Sequence, residues 1–126
     1  MTYVTDKLLL MVLLCGQEEM VLKINRFPAI KSRMFSAYLD DLDRKKTEDM
    51  MRFRWSIASS NEKSELPFTK ETIDILYNYT KGNPRAICQV ADIALLSAFT
   101  QKKERIDEQL IHPVIHSLEV GGKRNE

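Results

Sequence analysis

Apolar positions along this chain follow two different patterns, and the change between them comes near residue 42. The first segment opens with a continuous apolar run, Leu8 to Cys15 (LLLMVLLC), in which both faces of an extended chain would be hydrophobic. That is the pattern of a strand buried on both sides in a parallel sheet. Met34 to Leu39 reads as a second strand, with Phe35, Ala37 and Leu39 on one side and Met34, Ser36 and Tyr38 on the other. Between them Gly16 turns the chain and Gln17-Glu18-Glu19 puts acid at the start of a short helix bearing Met20, Val21 and Ile24, which Phe27-Pro28 ends. Strand, helix and strand predict a small parallel βαβ unit over residues 1–42. Two strands alone leave unpaired edges and an uncovered apolar face, so further strands are expected from outside this stretch or from another chain.

From residue 43 the spacing becomes helical. Asp40 to Lys46 is a charged connection, and Thr47 is the expected cap of a helix carrying Met50, Phe53 and Ile57 on one stripe, with Met51, Trp55 and Ala58 beside it. Ser59 to Glu65 (SSNEKSE) is a polar surface loop closed by Pro67. Thr69 caps the next helix, Glu71 suits its positive end, and Phe68 staples onto Ile73 across the cap. Its inner face is Ile73, Leu76, Tyr77 and Thr80, and Gly82 supplies the left-handed residue that closes it. Asn83 then caps a further helix with Pro84 at its first position, where the missing N–H costs nothing. That helix carries Ile87, Val90, Ala91, Ala94 and Ala98, small enough for close helix packing. A last amphipathic segment begins at Asp107 with Leu110, Ile111, Val114, Ile115 and Leu118, and Pro113 should kink it or mark its true first turn. The tail, residues 121–126, is expected to be disordered. The fold class is therefore mostly α: a short parallel βαβ segment, then a bundle of about four helices over residues 43–120.

Composition narrows the function classes only a little. The 126 residues suit one ordinary domain, and 29% charged with 44% hydrophobic residues is globular, non-membrane composition. A net charge of +1 gives no overall reason to expect nucleic acid. The run ending in Cys15-Gly16 sits where a lipoprotein leader would end, but Leu13 and Leu14 are bulky and Asp6 is acidic, which argues against export. It is also shorter than the roughly 20 residues that span a bilayer. Cys15 and Cys88 form no CxxC and read as reduced thiols, so a cytoplasmic location without a membrane partner is expected.

Candidate chemistry gathers at arginines. Arg85 falls in the first turn of the helix that Asn83 caps, where a cation opposes the helix dipole by roughly 0.3–1 kcal/mol. A bound phosphate would remove that conflict; an arginine reaching into water would also relieve it. His112 and His116 share a helical face at a spacing that can chelate zinc, but Pro113 intervenes and no third ligand is near in sequence, so no metal site is assigned. Arg44, Lys45, Lys46, Arg52 and Arg54 form a basic cluster open to two readings, a DNA contact or a solvated face, with Glu48 and Asp49 interrupting it. No Ser/His/Asp or Cys/His arrangement argues for hydrolase chemistry.

Over roughly Leu8 to Leu118 this order resembles the C-terminal part of an AAA+ ATPase. The resemblance is to the branch that includes general secretion pathway protein A, transposition ATPases and archaeal origin-recognition proteins. It rests on Val12-Leu13-Leu14-Cys15-Gly16-Gln17-Glu18-Glu19-Met20 at the end of a core strand and on Ser32-Arg33-Met34 before the next. It rests further on Arg54-Trp55-Ser56-Ile57-Ala58 opening the lid, on Phe68-Thr69-Lys70-Glu71, and on Gly82-Asn83-Pro84-Arg85-Ala86-Ile87. The last block is the most specific. The resemblance implies that the βαβ segment is the remnant of a P-loop core sheet and that the bundle is its helical lid. It implies that Arg85, with Asn83 at the helix start, is the sensor-2 contact to the γ-phosphate. It further implies that Arg33 is a candidate arginine finger for a neighbouring subunit, and that Gln17 occupies the sensor-1 region. On the residues alone, Arg33 reads equally as an arginine pairing a local carboxylate, and Gln17 equally as a helix cap.

The chain departs from the family in one decisive way. It has no GxxxxGK[ST] loop and no apolar strand ending in paired acids, so it is not expected to hydrolyse ATP alone. Cys88 stands where the family often has asparagine, and Lys45 and Lys46 where it has acids. ATP and Mg are accordingly expected in the parent or partner assembly and no cofactor on the isolated chain. The implied function is nucleotide sensing coupled to oligomerisation and partner remodelling, with copies of itself or a P-loop AAA+ subunit as partner. The alternatives are a non-enzymatic module docking on a full-length ATPase, and a DNA-binding accessory domain.

Overall fold

The computed structural model describes residues 10–60 and 64–122. Six helices form among them: α1 (Glu18–Ile24), α2 (Pro28–Lys31), α3 (Arg44–Ala58), α4 (Lys70–Thr80), α5 (Pro84–Thr100) and α6 (Glu108–Gly122). The chain divides into two units, Met1–Tyr38 and Leu39–Glu126.

The larger unit is a helical bundle. α5 packs on α4 and α6, α4 packs on α6, and α3 lies against α4. Ile73, Leu76, Ile87, Val90, Ala94, Ile106 and Ile111 are essentially inaccessible to water, joined by Phe68, Leu110 and Val114. Each fully buried side chain of this size contributes roughly 1.5–3 kcal/mol of transfer free energy. The helices begin and end where their caps place them. Thr69 accepts the Thr72 N–H at 3.3 Å, and Asn83 Oδ1 accepts the Ala86 N–H at 3.1 Å with Pro84 as the first helical residue. Phe68, just before α4, is buried and forms an isolated parallel bridge with Ile106 just before α6, where the Ile106 N–H reaches the Pro67 carbonyl at 2.9 Å.

The α4 to α5 corner is tighter than the sequence suggests. Lys81 takes the left-handed conformation (φ 53°), its N–H bonding the Tyr77 carbonyl at 2.8 Å, and Gly82 follows at φ 84°. Lys81 is thus the first left-handed residue at the stop of α4, one position before Gly82, which is left-handed as well. Gly82 is required for a second reason. Its carbonyl accepts the Leu42 N–H at 2.9 Å, and a Cβ at this position would fall on the Leu42 carbonyl oxygen. Leu42 is partly buried against the core and belongs to this unit.

Helix α3 starts earlier than expected. Asp43 Oδ1 accepts the Lys46 N–H at 2.7 Å and is the cap. Thr47 instead lies inside the helix, fully buried, with its hydroxyl unpartnered among the described residues. Asp43 wins because it accepts this bond as a charged group and sits where Arg44 can join α4. The buried stripe of α3 is Thr47 and Met51, whereas Phe53 and Ile57 of the expected inner stripe are 66% and 69% exposed. Apolar residues occupy two adjacent stripes of this helix, and periodicity alone does not choose between them.

α6 runs through Pro113 without a break, and Gly121 and Gly122 belong to it; residues 123–126 of the expected tail lie outside the described residues. Gln109, whose carbonyl loses its partner at Pro113, is exposed, as is Pro113, so water can serve that oxygen. No helix among the described residues is long and apolar enough to cross a membrane.

The smaller unit contains α1 and α2 and no buried residue among those described. The predicted helix at Glu18–Ile24 forms. Phe27-Pro28, read as its stop, also starts α2, because proline is as suited to the first position of a helix as to the end of another. Residues 10–15 and 34–39, predicted as strands, carry no strand pairing, and Leu10, Met11, Val12, Leu13 and Phe35 are exposed. Leu8, Leu9 and the 61–63 part of the polar loop lie outside the described residues. The physical reason is the one that made two strands insufficient: among the described residues no further strand pairs their edges or covers their faces.

Gly82→Ala is expected to destabilise the bundle by at least ~2 kcal/mol, combining left-handed strain with displacement of the Leu42 backbone; urea unfolding followed by circular dichroism measures it. Thr47→Val is expected to act oppositely, raising stability by about 1 kcal/mol through removal of an unpaired buried hydroxyl. A loss of stability instead would mean that water or another group satisfies that oxygen.

Candidate functional site

The start of α5 brings Asn83 and Arg85 into one turn. Asn83 takes the Ala86 N–H through its side chain and the Ile87 N–H through its carbonyl (2.9 Å), and Pro84 has no N–H to offer. The backbone N–H of Arg85 is therefore the donor of that turn left unpaired among the described residues. Its guanidinium is exposed and has no hydrogen bond or ion pair among them either. A free backbone donor, a helix dipole and a planar cation can together hold a phosphate or carboxylate oxygen pair.

Gln17 and Arg33 belong to the other unit, Gln17 just before α1 and Arg33 in the turn after α2. Gln17 occupies the position before α1, and its carbonyl accepts the Met20 N–H at 2.9 Å, but its side chain caps nothing. Gln17 thus stands at the cap position of α1, as its helix-cap reading expected, and its extended backbone conformation does the capping with the carbonyl alone. Arg33 folds back so that Nη1 donates to the Ala29 carbonyl at 2.8 Å, closing the C-terminal end of α2. No carboxylate pairs it among the described residues, which corrects the expected local ion pair; a carbonyl near the end of α2, which also accepts the Ser32 hydroxyl at 3.2 Å, lies within reach of an arginine four residues on.

The basic cluster on α3 is largely neutralised inside the bundle. Arg44 pairs with Glu48 at 2.8 Å and with Asp74 of α4, and Arg52 pairs with the same Glu48 at 2.7 Å. Lys46 pairs with Asp43 at 3.4 Å, leaving Lys45 and Arg54 without partners among the described residues. Partial burial disfavours the Arg44 charge, but the hydrogen bonds it donates to Asp74 and Glu48 outweigh it and raise its pKa. Hydrogen bonds from Arg44 first and Arg52 second hold Glu48 below the ordinary glutamate value of 4.5. The Lys46 backbone N–H lowers Asp43, and the Lys103 ammonium lowers Asp107.

His112 and His116 are exposed, and no group of three His, Cys, Asp or Glu residues able to hold a metal occurs among the described residues. Cys15 and Cys88 are free thiols. A cleft of about 230 Å³ between α3 and α5, with Trp55, Cys88, Arg54 and Asp92 in its wall, was not legible in the sequence, because its walls come from two helices and the segment before α4. Comparison with protein-family models, with curated proteins and with solved structures found no match.

The charge network sets a pH dependence. A carboxylate whose folded pKa is depressed stabilises the fold above its unfolded value, and that stability is lost as pH falls through the folded value. Glu48 should therefore stabilise the bundle fully above about pH 5 and progressively less below the ordinary value of 4.5. Glu48→Gln is expected to cost about 1 kcal/mol at pH 7, allowing for its partial exposure, with the difference from the parent chain vanishing in acid. Thermal unfolding from pH 3 to pH 8 tests this; equal effects at both ends would show that packing, not charge, is responsible.

Proposed function

We propose that this chain is the C-terminal, lid-bearing portion of an ATP-dependent AAA+ protein, sensing nucleotide and coupling it to oligomerisation and partner remodelling. The observation that carries the reading is the start of α5, where Asn83 and Pro84 set the turn and Arg85 presents an unpaired guanidinium and an unpaired backbone N–H. In this role Arg85 binds the γ-phosphate from the lid and Asn83 fixes the turn that aims it. Arg33 is the candidate finger offered to a neighbouring subunit, released from the Ala29 carbonyl when a phosphate competes for it. Gln17 stands in the sensor-1 region.

The residues present fit one part of a nucleotide site. Arg85 suits a terminal phosphate, but the chain has no glycine-rich loop with lysine and hydroxyl to hold the remaining phosphates and Mg, so these groups come from the parent protein or a partner subunit. Hydrolysis by this chain alone is not part of the proposal.

A second reading, a non-enzymatic module that docks on a full-length P-loop ATPase, is favoured by the exposed apolar residues Leu10 to Leu14 and Phe35. Such a surface suits a sheet edge that another chain completes. The DNA-binding reading is the weakest, because carboxylates neutralise Arg44, Lys46 and Arg52.

Titration of the isolated chain with nucleotide, followed through the Ala86 and Ile87 amide resonances, tests the first reading. ATP is expected to shift them with a Kd on the order of 1 mM or weaker, more strongly than ADP, and Arg85→Ala should abolish the response. Equal responses to ATP and ADP, or indifference to Arg85→Ala, would sink it. For the docking module, ATP-dependent association with a P-loop subunit should be lost in Arg33→Ala.

A further inference from the structure

The cleft between α3 and α5 has a floor of Met51, Phe68 and Ile87, all buried, and a rim at which Arg54 of α3 and Asp92 of α5 are exposed. Neither charge has a hydrogen bond or ion pair among the described residues, whereas Arg44, Lys46 and Arg52 on the same helix α3 are all paired. One position round α3 from Arg54 and Ala58, the exposed Phe53 and Ile57 extend the apolar surface beyond the cleft. From Met50 to Ala58 the cleft wall covers nine residues of helix, a rise of roughly 12 Å, which matches about two turns of a second helix.

We propose that this cleft is the docking groove for an amphipathic helix of a partner protein. That helix would carry two or three apolar anchors at i, i+4 and i+7, a carboxylate opposite Arg54 and a cation opposite Asp92. Three observations choose this occupant. At about 230 Å³ the cleft is smaller than the roughly 300–1,000 Å³ of ordinary small-molecule pockets, but it can receive side chains from a helix laid along it. The rim carries both signs, which complements a peptide of mixed charge and opposes an anionic lipid surface or a nucleic-acid backbone, where Asp92 would be repelled. Apolar residues that remain exposed beside the groove are those a bound helix would cover. This surface is separate from the start of α5 and does not rest on nucleotide sensing.

The chain's single tryptophan, Trp55, lies in the groove wall, with its indole N–H donating to the Ser64 carbonyl at 3.2 Å, so its fluorescence reports occupancy. A phage-displayed library of short helical peptides, selected on the full chain, is the probe. The expected result is enrichment of apolar residues at i, i+4 and i+7 with an acid on one flank, and a saturable Trp55 fluorescence change on titration of the selected peptide. Arg54→Glu should weaken that peptide about tenfold, and changing the peptide's acid to lysine should restore it. Ala58→Arg, at an exposed position, should abolish binding with the circular dichroism spectrum unchanged. Selection without a helical pattern, an unchanged Trp55 signal, or failure of the charge exchange overturns the proposal. So does self-association of the chain that Ala58→Arg abolishes, since the groove would then take a second copy.

Discussion

The backbone contact between Leu42 and Gly82 determines how the rest of the bundle is arranged. One N–H to carbonyl bond of 2.9 Å, possible only because residue 82 has no Cβ, holds the segment leading to α3 against the α4 to α5 corner. Asp43 then lies where it can cap α3, and Arg44 where it can bridge to Asp74 of α4. Asn83, the next residue along from Gly82, fixes the first turn of α5 and with it the position of Arg85. A glycine, two caps and an ion pair thus set the geometry of three helices within a few residues of one another, before the hydrophobic core is considered.

Charge divides the bundle into a structural and an available set. Glu48 holds two arginines and Asp74 shares one of them, so the middle of α3 is electrostatically closed. Arg85 at the start of α5 and Arg54 beside the cleft remain outside this network. The distinction is physical and local: the paired arginines bond a carboxylate one helical turn away or on the facing helix, and the other two bond no carboxylate among the described residues. The two unpaired groups also lie on different features of the fold, a helix start and an apolar groove, and so suit different ligands.

Much of the bundle was legible because its signals are short-range. Thr69 and Asn83 act on N–H groups three residues away, Pro84 acts through its own fixed φ and missing N–H, and the apolar spacing of Ile87, Val90, Ala94 and Ala98 needs no knowledge of the partner helix. Asp43 was less visible because Thr47 offers the same chemistry four residues later, and the tertiary contacts of Leu42 with Gly82 and of Arg44 with Asp74 that favour the earlier start are not written in the local sequence. The strands at residues 10–15 and 34–39 show the limit of pattern reading, since an apolar run states a demand for burial but not where the cover comes from. At the site, the placement of Arg85 followed from its neighbours. The bond from Arg33 to Ala29 and the groove beside Trp55 depend on side-chain rotamers and on segments distant in sequence, which spacing does not encode.

The parallel bridge between Phe68 and Ile106 has a consequence for the field around Arg85. Because the two segments run the same way into α4 and α6, those helices begin at one end of the bundle, and α5, entered through the tight Lys81-Gly82 corner, begins at the other, beside the end of α4. The positive pole of α5 and the negative pole of α4 therefore meet within a few residues and partly cancel. A cation in the first turn of α5 is less disfavoured there than on an isolated helix, and the helix start itself attracts an anion less. Discrimination between anions at this end falls mainly to the reach and planarity of one guanidinium.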